Sequence, residues 1–123
     1  MGEGVNNKEV FMKRIEAIIR PAKVGDVLAA LEKVGHPGVM VSEIEGHGSQ
    51  QGVEQQVRGK TYKVTLLTKK KIDVIVKDQE AGKIIEAIRK AVSTGEIGDG
   101  KIFVSSMDDA IRIRTGESGE KAV

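Results

Sequence analysis

The residues best suited to chemistry lie in the last third of the chain. Gly95-Glu96-Ile97-Gly98-Asp99-Gly100-Lys101 has the spacing of a phosphate-binding P-loop: glycine, four residues, glycine, lysine. Ile102 then stands where such a loop needs a Mg²⁺-binding Ser or Thr, and the loop leads from helix into strand instead of the reverse, which excludes the P-loop itself. Two readings survive. Three glycines let backbone N–H groups turn toward an anion beside the Lys101 charge, or the segment is a tight turn in which Asp99 bonds its own backbone. Arg112-Ile113-Arg114 favours the anion, because residues two apart on a strand share a face. Both guanidiniums would then project together as a phosphate clamp while Ile111 and Ile113 point to the core. Gly46-His47-Gly48 before Ser49-Gln50-Gln51-Gly52 is a second, weaker place for close backbone approach.

Nothing argues for turnover. His36 and His47 are far apart and without a partner constellation, and neither a Ser-His-Asp grouping nor metal-ligand spacing is present. The absence of cysteine excludes disulfides and thiolate metal sites.

The elements that must carry these residues follow from periodicity. Residues 1–11 read as a flexible polar extension. In Val10–Ile19, Ile15, Ala17 and Ile19 alternate with Arg14, Glu16 and Ile18 as in a strand that Pro21 ends. Val24, Val27, Leu28, Leu31 and Val34 form a helical stripe stopped by Gly35. Val39–Glu45 reads as a strand, and from Gly46 to Lys60 core-forming periodicity vanishes, which marks a long functional or mobile loop. Thr61–Leu67 and Ile72–Val76 are strand-like. A second helix starts near an Asp78 cap with Ala81, Ile84, Ile85, Ile88 and Val92 inward. Ile102–Ser106 is a strand and Ala110–Arg114 a short extra one.

This order predicts an α+β, ferredoxin-like βαββαβ sandwich with both helices on one face. The other face, expected to carry Ala, Val and Ile, calls for a covering partner subunit. With 123 residues the chain is one domain burying roughly two-thirds of its unfolded surface. The only aromatics are Phe11, Tyr62 and Phe103, so the core must be aliphatic and association would help it. A net charge of +2 without a clustered basic face does not suggest a nucleic-acid binder; Lys69-Lys70-Lys71 is the only dense basic run. So few aromatics also disfavour a base-stacking sheet. No stretch approaches the roughly 20 apolar residues of a membrane span, and the N-terminus lacks a signal-peptide core, so a cytoplasmic protein is expected.

From Met12 to Gly116 the sequence resembles the PII nitrogen-regulatory family. The resemblance rests on KRIEAIIRPAK, the glycines before QQG, Arg58-Gly59 ahead of Tyr62, Lys71-Ile72-Asp73, TGEIGDGKIFV and IRIRTGE. It implies a 12–116 domain containing a mobile target-docking T-loop at 48–60, a 117–123 tail, and a homotrimer with nucleotide in the clefts between subunits. It implies a phosphate site of Gly98, Asp99, Gly100 and Lys101 with Arg112 and Arg114 from the neighbour. Ile18, Asp73 and the backbone around Gly46 and Gly48 would take the nucleoside. Gln50 would ligate Mg²⁺ and meet 2-oxoglutarate, beside Lys69 and the Gly52 backbone. The implied effectors are ATP or ADP, Mg²⁺ and 2-oxoglutarate, and no catalysis is implied. The implied targets include an ammonium transporter (the only route to a membrane) and enzymes or regulators of nitrogen assimilation. Tyr62 matches a tyrosine that some lineages uridylylate, with an ordinary strand-end tyrosine as the plain alternative. Ser49, Met40, Gln51 and Thr68 depart from the usual arginine, threonine, lysine and proline, which puts nucleotide affinity and a base hydrogen bond in doubt. A PII-like sensor of another small anion or adenine nucleotide is the alternative function.

Overall fold

The computed structural model describes residues 12–36, 38–47, 53–57, 60–64 and 66–123, and the side chains of those outside 46–67. The strands are β1 (Met12–Ile19), β2 (Met40–His47), β3 (Val53–Val57), β4 (Lys60–Val64), β5 (Leu66–Lys77) and β6 (Lys101–Met107). The helices are α1 (Val24–Lys33) and α2 (Ala81–Val92). β2, β5, β1 and β6 lie side by side in that order as an antiparallel sheet, the βαββαβ topology expected.

Alternation in β1 puts Ile15, Ala17 and Ile19 on the face covered by both helices, opposite Val74 and Ile72 of β5. Against them pack Val27 and Leu31 of α1 and Ala81, Ile84, Ile88 and Val92 of α2, giving the aliphatic core that the composition requires. Pro21 ends β1 and opens the 3₁₀ turn Pro21–Lys23 that leads into α1. Gly35, at φ +92°, closes α1. Its N–H donates to the Glu32 carbonyl at 3.0 Å and that of His36 to Leu31 at 2.8 Å, the paired bonds of a Schellman stop.

Four expectations need correction. Asp78 does not cap α2: it lies in a 3₁₀ turn, Asp78–Glu80, and pairs with Lys13 at 3.4 Å, while no side chain caps the helix. Leu66–Lys77 is one strand of 12 residues rather than two, because pairing with β2 at one end and β1 at the other holds the lysine run in the ladder. The stretch expected to be loop contains β3, which pairs with β4 from Val53–Val64 to Val57–Lys60. Backbone ladders close locally and need no apolar period.

The sheet face away from the helices is not the Ala, Val and Ile surface predicted. Its centre is a ring of alternating charge. Arg14 bonds Asp73 at 3.1 Å and Glu16 at 3.0 Å, and Lys71 lies 3.4 Å from Glu16 and 3.8 Å from Asp73. Met40 and Phe103 flank it, more than half exposed.

Ile88→Ala removes a fully buried side chain between α2 and the sheet. It should cost about 2–5 kcal/mol, visible as a lower denaturation midpoint in urea; a change under about 1 kcal/mol would mean that this core is not the one holding the fold.

Candidate anion-binding site

The chain leaves α2 at Val92 and enters β6 at Lys101, so residues 93–100 must cross the end of β1, where Ile18 pairs with Lys101. Space there is tight. A Cβ on Gly100 would lie 2.0 Å from the Ile18 carbonyl oxygen, and Gly100 holds φ +113°, so both space and backbone require glycine. Gly95 and Gly98 also have positive φ, at +82° and +101°.

What shapes this loop is the Asp99 carboxylate. Its Oδ2 accepts the N–H groups of Thr94 at 2.8 Å and Gly95 at 3.0 Å. Its Oδ1 accepts the Thr94 hydroxyl and, at 2.7 Å, Nη1 of Arg20. The Thr94 hydroxyl first, then the Thr94 N–H, Arg20 and the Gly95 N–H hold the carboxyl far below the usual carboxylate range. The turn in which Asp99 bonds its own backbone is therefore realised, and it takes up the N–H of Gly95, one of the three loop glycines. Two cations hold the carbonyl side: Arg20 Nη2 donates to Ile97 at 2.9 Å, and Lys69 Nζ donates to Gly98 at 3.1 Å. A cleft of about 360 Å³ opens beside the loop, lined by Asp99, Gly100 and Lys101 with Arg89, Ile85 and Val104 among others.

The subunit thus gathers Gly98, Asp99, Gly100, Lys101, Ile18 and Lys69 in one place. Asp73 lies on the charged sheet face, 7% exposed and held by Arg14 and Lys71, with Met40 as its cross-strand partner on β2. Gly46 lies on β2 opposite Leu67, and Tyr62 on β4 opposite Gln55. Gly48, Gln50 and Gly52 fall outside the described residues, so the expected metal ligand is among those not placed. Among the described residues no cluster of three or more His, Asp or Glu side chains could hold a metal ion.

Arg112 and Arg114 are not on a strand. Ile111 makes a single bridge to Ser118, and the turn between closes through Gly116 N–H to the Arg112 carbonyl at 2.8 Å. Ile111 is 65% and Ile113 100% exposed, so neither points to a core. Among the described residues, no named strand pairs with this segment. Arg112 sits 3.6 Å from Glu117, and among the described residues neither arginine bonds the glycine loop of its own subunit. Sequence reasoning missed Arg20 and Thr94. The one signal was a cation directly after β1 where a loop had to cross.

Fold and loop together define an effector-binding ferredoxin-like regulator. The sequence profile described as "Nitrogen regulatory protein P-II" matches residues 12–117. The chain is 50% identical over 114 residues to "Nitrogen regulatory protein P-II 2" of Methanothermobacter thermautotrophicus, covering 93% of this chain and 99% of that one. To the Rhizobium meliloti P-II protein it is 51% identical over 112 residues, 91% and 100% covered. Among solved structures, Arabidopsis thaliana PII bound to citrate matches with TM-score 0.76 at 39% identity, covering 93% of this chain and 94% of that one. The chain belongs to the PII nitrogen regulatory protein family, whose members are signal transducers and not enzymes. Among the described residues no helix is long and apolar enough to cross a membrane.

A carboxyl whose folded pKa is depressed contributes stability above its unfolded value, near 3.9, and that contribution is lost only as pH falls toward the folded value. The Thr94 and Gly95 amide resonances should therefore hold steady while ordinary carboxylates titrate. A transition at those amides with a midpoint near ~4 would contradict the bonding described.

Proposed function

We propose that this protein senses ATP or ADP together with 2-oxoglutarate at clefts between the subunits of a homotrimer, and regulates nitrogen-metabolism targets in the cytoplasm by contact. The observation that carries the reading is a site present in halves. The glycine loop is folded and supported within one subunit, while Arg112 and Arg114 stand exposed on a turn elsewhere. An anion site assembles if a neighbour's turn is brought to the loop. The half-exposed Phe103 and Val104 on edge strand β6 are also suited to burial against another copy.

In this reading the amides of Gly98–Gly100 and Lys101 take the phosphates with the two arginines, and Ile18 and Asp73 face the nucleoside with the backbone of Gly46 and Gly48. Lys69 supplies the ammonium for a 2-oxoglutarate carboxylate, next to Gln50 with Mg²⁺ and the Gly52 backbone. A small dianion beside a triphosphate needs both cations to offset like-charge repulsion. The citrate held by the Arabidopsis relative supports a capacity of this fold for carboxylates. Bound effectors then shift the conformations available to the 48–60 segment and hence the affinity for a target, such as an ammonium transporter or a nitrogen-assimilation enzyme or regulator. Tyr62 is the position where a lineage with the modifying enzyme would add a uridylyl group.

Calorimetry tests this directly. ADP and ATP should bind the wild type, and 2-oxoglutarate should bind only with ATP and Mg²⁺ present; equal binding without nucleotide would overturn the reading. Arg112→Ala deletes a charge-assisted bond of about 1.5–3 kcal/mol and should weaken ADP binding about tenfold or more.

A further inference from the structure

Asp99 is an odd residue to find in a site for a polyanion. A fixed negative charge beside phosphate oxygens opposes binding by simple electrostatics. Yet both of its oxygens are fully engaged, Oδ1 by Arg20 and the Thr94 hydroxyl, Oδ2 by the Thr94 and Gly95 N–H groups. We propose that Asp99 and Arg20 are positioning residues that hold the 94–100 loop in its anion-ready shape, so that this carboxylate raises the affinity for a ligand it would otherwise repel. The inference rests on the phosphate reading of the loop given above.

The geometry supports it from two sides. Arg20 follows β1 directly, so its guanidinium issues from the sheet, the most rigid part of the subunit. It grips the loop twice, at the Asp99 carboxylate and at the Ile97 carbonyl. In a trans peptide the N–H of Gly98 points opposite to the Ile97 carbonyl, so drawing that carbonyl toward Arg20 turns the amide away from it. Lys69 holds the carbonyl of the next peptide, at Gly98, whose Asp99 N–H donates back to the Glu96 carbonyl at 3.4 Å and closes the turn. Two consecutive carbonyls are thus drawn to cations, while Asp99 fixes the loop's entry at Thr94 and Gly95. A loop ordered before the ligand arrives spares the binding step that entropy.

Asn at position 99 separates positioning from charge, because the two predict opposite signs. Its amide offers one acceptor oxygen where two serve, and its NH₂ group must face either the backbone N–H pair or Arg20 and the Thr94 hydroxyl. If Asp99 acted only by its charge, Asp99→Asn would tighten ADP binding.

The experiment is ADP titration by calorimetry without any oxoacid, on full-length wild type, Asp99→Asn, Arg20→Met, Arg20→Lys and the Asn/Met double variant. Asp99→Asn and Arg20→Met are each expected to weaken ADP binding roughly tenfold. Arg20→Lys keeps the charge but not the double grip and should recover only part of the loss. The double variant should be no worse than the weaker single, as expected for two residues acting through one contact. Asp99→Asn binding ADP as well as or better than wild type would overturn the proposal, as would a double variant whose losses simply add. Should Asp99→Asn fail to fold, Thr94→Val removes the hydroxyl that donates to Asp99 and accepts the Glu96 N–H at 3.2 Å, and is expected to weaken ADP severalfold; unchanged binding there overturns the proposal equally. A wild type that binds no nucleotide would instead strike the phosphate reading, so the two failures are told apart.

Discussion

The Asp99 carboxylate and the Arg20 guanidinium meet at 2.7 Å, joining the last residue before Pro21 to a loop about eighty positions further along the chain. The rest of the site hangs on that contact. Without it the glycine loop would regain part of the backbone freedom that glycine allows. A short carboxylate that accepts four donors converts that freedom into a single turn. The negative charge of Asp99 is offset by the donors that hold it and by the cations Arg20 and Lys69 on the carbonyl side.

The sheet divides its work by face. One face meets the helices and is aliphatic at its centre, with Ile15, Ala17, Ile72 and Val74. The other is built around the Arg14, Glu16, Lys71 and Asp73 ring, in which each charge has an opposite neighbour. Exposed pairs of this kind stabilise little on their own. Their role here is compensation: Asp73 is almost fully buried, and without Arg14 and Lys71 its charge would be left desolvated and unpaired. A face with paired charges at the centre and Met40 and Phe103 beside them can be covered by another subunit without stranding any ion.

The C-terminal turn has the opposite character. Its bonds are almost all internal: Asp109 accepts the N–H groups of Ala110 and Gly119, and Arg112 and Glu117 pair across it. It keeps its shape without packing on the core and leaves both arginines and Ile113 exposed.

The sequence alone determined the sheet-and-helix order, the helix stripes and the glycine loop, because period-2 and period-3.6 patterns and glycine spacing are local properties. It also held two readings of the loop, of which the turn that Asp99 makes with its own backbone is realised. Tertiary structure decided what was non-local. Arg20 became part of the site only when β1 and the loop were brought together, and the second sheet face turned out charged because register sets Glu16 opposite Asp73 and leaves Ile72 on the other side. Arg112-Ile113-Arg114 alternates like a strand, yet a strand needs a neighbouring edge, and whether one exists is a fact about the whole fold. β3 escaped notice for the converse reason, since its hydrogen bonds are to β4 and need no apolar period.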